Sequence, residues 1–154
     1  RLARQARERL GLAACRVEFD SSGEWAVSVV ESETPVQTVD GLVAVDGPSL
    51  VTGPKHETAL RFARARAIDD YLGGGQRTSP SLLTSASTCR QQQARAFAAE
   101  YLSPSAILSQ RIGDPSSFVS SDTMDELASD FGVSSYVIRH QITNHALGNV
   151  LDSV

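Results

Sequence analysis

The sequence predicts an α+β protein, with a small antiparallel sheet packed on a helix and a helical C-terminal part. Three observations predict it. Short alternating or glycine-bracketed apolar runs gather before residue 55. Residues 57–72 read as a helix, apolar residues recur at helical spacing in 88–102, and from residue 57 on the pattern is helices only. Strands grouped first and helices after is the α+β order, not the alternation of a parallel βαβ fold.

The elements follow in chain order. Residues 1–10, RLARQARERL, are helix-like, and Gly11 is placed to stop them. EWAVSVV (24–30) alternates, with Trp25, Val27 and Val29 on one face of a strand. GLVAVDG (41–47) reads as a second strand between glycines, and SLVTGP (49–54) as a third closed by Gly53 and Pro54. A helix spans 57–72, and the glycines of GGGQRTSPS open a polar loop that reaches residue 87. The next helix, 88–102, carries Ala94, Phe97, Ala98, Tyr101 and Leu102 at i, i+3, i+4, i+7 and i+8. A short helix should follow, with Ser103 as cap, Pro104 at its first position and Gly113 as its stop. GDPSSFVSS reads as loop, Thr123 with Glu126 as a capping box, and 135–147 as the last helix.

Composition bounds the function. Over 154 residues, 41% hydrophobic and 21% charged content is that of an ordinary globular chain. A formal charge of −4 argues against gripping nucleic acid with the whole surface. No apolar run approaches the roughly 20 residues that span a bilayer, so no membrane is expected. The chain opens on Arg1 without an apolar signal region, which suggests a piece of a longer, cytoplasmic product. Cys15 and Cys89 lie far apart with no CxxC partner and are expected to be reduced and mostly buried.

A zinc peptidase of the HExxH type needs two histidines one helical turn apart and a glutamate between them to take a proton from bound water. His56-Glu57 begins such a motif, but Leu60 stands where the second histidine belongs. A stronger likeness lies in the flanking residues. SLVTGPKHETALRFARARAIDDYL (49–72), QQQARAFAAEYLSPSAIL (91–108) and ELASDFGVSSYVIRHQITNHAL (126–147) occur in that order. Together they resemble the ImmA/IrrE family of metallopeptidases, whose matching segments read RFTLAHELGHYL, EREANAFAAELLMP and LAxxFGVSxxAVxxRLxxLGL. The resemblance implies a zincin-like core over 1–121 and a helix-turn-helix-like part over 122–154 packed on it.

The resemblance also implies where the family's zinc site has gone. Its first histidine falls on Arg66, its catalytic glutamate on Ala67, its second histidine on Asp70 and its third ligand on Gln93. HExxH is thus replaced by Arg66-Ala67-Ile68-Asp69-Asp70. A fixed cation repels a metal ion, and alanine accepts no proton. No metal, cofactor or catalytic residue is therefore expected. Arg66 and Asp70, at i and i+4, are expected to pair with Gln93 nearby and to fill the volume of the ion. Tyr71, Phe97 and Tyr101 are expected in the core. No GxSxG surrounds a serine, His140 and His145 lie in the last helix, and LGGGQ lacks the lysine of a phosphate loop.

These residues imply a domain that is catalytically inactive but acts by binding, as sensor or scaffold, in transcriptional or mobile-element regulation. Its partner would be a helix-turn-helix repressor or another domain of the same chain. The strand edge ahead of the 57–72 helix would be the place for an extended partner. A DNA-binding regulator is the alternative, with Ser134, Ser135, Tyr136, Arg139, His140 and Asn144 toward DNA. Only Arg139 is a permanent cation there, and Asp122, Asp125, Glu126 and Asp130 surround the preceding helix. A second alternative is an active metallopeptidase with a relocated metal site using His56, Glu57 or Asp69 and Asp70.

Overall fold

The computed structural model describes residues 1–12, 16–19, 27–31, 39–45, 49–53, 55–73 and 79–151. It is a mixed α and β chain that divides into two compact units. One unit is Glu18–Ala98, and the other joins Arg1–Val17 to Ala99–Val154.

The Glu18–Ala98 unit holds strands β1 (Val29–Glu31), β2 (Val39–Val43) and β3 (Leu50–Thr52), helix α2 (Glu57–Gly73) and strand β4 (Ser81–Thr84). The sheet order is β1-β3-β2-β4. The expected antiparallel sheet is in fact mixed, because β1 runs parallel to β3 while β2 is antiparallel to both its neighbours. β4 also corrects an expected loop. Four residues after a glycine and proline stretch are too few to show the alternation that marks a strand. Trp25 and Cys15 lie outside the described residues, as does most of the GGGQR loop.

Register sorts the side chains onto two faces. Leu50, Val43 and Leu83 are at most 1% exposed on the face that α2 covers. Residues paired across the other face are Val30, Val51, Leu42 and Leu82, of which Val30 and Leu82 are exposed. A Cβ at Gly41 would run into Leu50 Cδ1, so the buried Leu50 side chain would have to shift to admit one. The β2–β4 register shifts between Val39 and Gly41, so the ladder bulges at Asp40.

The second unit holds α1 (Leu2–Arg9), the C-terminal end of α3 (Cys89–Leu102), α4 (Ser105–Ile112), α5 (Ser121–Phe131) and α6 (Ser135–Asn144). Strands β5 (Phe118–Val119) and β6 (Asn149–Val150) pair in parallel, although the sequence reads as loop at 118–119. Gly11, at φ +65°, ends the first helix as its position suggests. Arg7 Nη1 donates to the Tyr101 carbonyl at 2.7 Å and ties α1 to the end of α3.

Caps differ in detail from the sequence reading. Ser103 closes α3 by donating to Ala99 O at 2.9 Å, and Pro104 takes the N-cap position of α4. The Glu100 carboxylate accepts from Ser105 N at 3.1 Å and satisfies an amide of that first turn. α5 begins earlier than the Thr123 box suggests: Ser120 Oγ is the cap and accepts from Thr123 N at 3.2 Å. At its other end Gly132 takes the left-handed conformation, φ +63°, and Ser134 opens α6. Leu127, Phe131, Val133, Ile138 and Ile142 are buried at this corner. Gln141, also buried, donates to Ser103 O at 2.8 Å and to Glu100 at 3.1 Å.

Candidate functional site

α2 carries four charged residues that are each at most 6% exposed: Arg61, Arg66, Asp69 and Asp70. Burying such groups is costly unless each finds a partner. Arg66 donates to Asp40 Oδ2 at 2.7 Å, to Thr84 O at 2.7 Å and to Gln91 Oε1 at 2.5 Å. Its buried Nε has no hydrogen-bond partner among the described residues. Asp40 reaches the guanidinium from the bulge of β2, while its own carbonyl accepts from Thr52 Oγ1 at 2.9 Å. Lys55 Nζ lies 3.7 Å from the same carboxylate.

The expected pair between Arg66 and Asp70 is replaced by two separate sets of bonds. Asp70 accepts from Arg90 Nε at 3.0 Å, from Arg90 Nη2 and from the Ser81 hydroxyl. The physical reason is the unforeseen strand. β4 brings Ser81 and Thr84 against α2, and the start of α3 brings Arg90 and Gln91, so each charged head meets a better-directed partner than its neighbour on the helix. Asp69 makes no comparable set among the described residues. Burial, and then the charge of Asp70, push its carboxyl above the ordinary carboxylate range, with Arg90 pulling it back in part.

Gln93, at the expected third-ligand position, is exposed on α3. Gln91 takes its place at the site. Its carboxamide accepts from Arg66 and from Thr84 N at 3.1 Å, and donates to Leu82 O at 2.7 Å. Ala67 is fully buried and Phe97 and Tyr101 are core residues, whereas Tyr71 is 44% exposed and so is not. Cys89 is free and exposed, against the expected buried thiol.

The groups of the relocated metal site do not come together. His56 and Glu57 are exposed at the start of α2, with His56 Nδ1 3.1 Å from Thr58 Oγ1. Asp69 and Asp70 sit about 18 Å away along the same helix, from a 1.5 Å rise per residue. Among the described residues, no three His, Cys, Asp or Glu side chains form a group that could hold a metal ion.

On α6, Ser134, Tyr136, Arg139, His140 and Asn144 are exposed, and Ser135 is half-buried and donates to Asp125. The Tyr136 and His140 rings meet edge to face, with centroids 4.4 Å apart. No helix among the described residues is long and apolar enough to cross a membrane.

No family model and no curated protein matches the chain.

Proposed function

We propose that this chain is a catalytically silent ImmA/IrrE-like domain that works by holding a protein partner in transcriptional or mobile-element regulation. The mixed sheet on α2 is the zincin-like core of that assignment, which rests on the three segments within 49–147. The observation that carries it is the anchoring of Arg66. At the position of the family's first zinc ligand stands a permanent cation, buried and held by Asp40, Thr84 and Gln91. A guanidinium with its acceptors already in place both occupies that volume and repels a second cation. Ala67 provides no base beside it, so neither half of metal-assisted hydrolysis is supplied.

The partner remains a helix-turn-helix repressor or another domain of the same chain. It does not add to the strand ahead of α2 as expected, because β3 is flanked by β1 and β2 and has no free edge. The test is metal analysis of protein purified without chelator, joined to cleavage of an unfolded casein substrate. No bound zinc and no chelator-sensitive cleavage are expected.

The exposed face of α6 favours a second reading, a DNA-binding regulator. Tyr136, Arg139, His140 and Asn144 are presented as a groove-reading helix would present them. Asp130 is already paired with Arg111, which lessens the acidic field of α5. In an electrophoretic assay with mixed-sequence duplexes at low and moderate salt, no shift is the expected result. A sequence-selective shift, abolished by Arg139→Ala, would establish the second reading instead.

A further inference from the structure

The outer edge of β4 is closed by a side chain that imitates a strand. Gln91 donates to Leu82 O at 2.7 Å and accepts from Thr84 N at 3.1 Å. A residue of a parallel neighbouring strand makes this same pair of bonds, gripping the carbonyl before and the amide after the residue it faces. Among the described residues β4 is the last strand of the sheet order, and Leu82 O and Thr84 N are backbone groups that an outer neighbour would use. Arg66 at 2.7 Å and Arg95 at 3.4 Å complete the closure by donating to Thr84 O, and Arg95 also donates to Ala86 O at 3.1 Å. Gln91 is 8% exposed, so these bonds are shielded from water.

We propose that Gln91 is a built-in strand surrogate that keeps β4 from pairing edge to edge with a second copy of this chain. An unguarded edge strand is a template for association, and natural proteins block it with charges, bulges or covering elements. Here the blocked groups are self-complementary. In an antiparallel pair about a two-fold axis, residue 82 of one copy faces residue 84 of the other, and each exchanges N–H and C=O with its opposite. Leu82, 52% exposed at the middle of this edge, adds apolar surface to the contact. Nothing in this edge chemistry depends on the proposed function.

The test uses Gln91→Met, which removes both backbone bonds together with the one from Arg66, with Gln91→Glu as a second variant that keeps the bonds from Thr84 N and Arg66 and loses only that to Leu82 O. In dilute Gln91→Met, the Thr84 amide should exchange about tenfold faster than in the parent, as expected for loss of one protecting hydrogen bond. As concentration rises, the mass by light scattering should move from the parent's value toward twice that value. Adding Thr84→Pro, tolerable on an outward-facing edge position, should reverse the change of mass. Gln91→Glu should fall between parent and Gln91→Met. An unchanged Thr84 exchange rate, an unchanged mass, or association that survives Thr84→Pro would each overturn the proposal.

Discussion

Arg66→Met should lower the stability of the chain by about 3 kcal/mol, seen as a lower denaturant midpoint with an unchanged slope. Methionine fills much of the space but supplies no donor. Three acceptors lose a charged donor at once: the Asp40 carboxylate, Thr84 O and Gln91 Oε1. Removing one partner of a buried charged pair costs about 3–5 kcal/mol, and the side chain of Asp40, 35% exposed, recovers part of its loss from water. Arg66→Lys should fall between parent and Arg66→Met, because a single ammonium cannot reach acceptors arranged around a planar fork. If Arg66→Met stayed within about 0.5 kcal/mol of the parent, as ordinary surface changes do, the guanidinium would not be holding α2 to the bulge and β4.

Phe131→Ala carries the other large effect, about 3–4 kcal/mol, the range for deleting a buried phenylalanine side chain. Phe131 is 1% exposed at the end of α5, and the Arg111 guanidinium lies 5.3 Å from its ring centroid. Its loss opens a cavity under the corner made by Gly132 and removes that cation–π contact together. Amide exchange should quicken throughout 121–144 in this variant. Tyr136→Ala, at a residue 68% exposed on α6, should change stability by less than about 0.5 kcal/mol. Equal losses in the two variants would mean that Phe131 holds the corner no more than an exposed side chain does.

Much of the helical framework is legible in the sequence. α2, α3 and the α5–α6 corner announce themselves through apolar spacing and through Gly11, Pro104 and Gly132 as punctuation. The strands are harder. β4 is only Ser81–Thr84, β5 and β6 have two residues each, and the parallel direction of β1 is not encoded in its local pattern. Strand pairing is set by partners far along the chain, which a local window does not contain.

The site shows the same division. Arg66 and Asp70 are identifiable on one helix, but Asp40 and Gln91 reach Arg66 from 26 and 25 residues away. Arg90 reaches Asp70 from 20 residues away. One signal for Gln91 is present in the sequence. Ala94 and Ala98 are the inward face of α3, and the positions three residues before the first and seven before the second coincide at Gln91, not Gln93. The bulge that aims Asp40 has no comparable signal, because it arises only when β2 and β4 are laid side by side.

Zinc bound per chain, measured by mass spectrometry of the metal after purification without chelator and dialysis against micromolar zinc, tests the central claim most directly. A buried guanidinium at the proposed position of the first ligand predicts background zinc, and no change when Arg66 is replaced by Met. Stoichiometric zinc in the parent protein, accompanied by chelator-sensitive cleavage of casein, would contradict it.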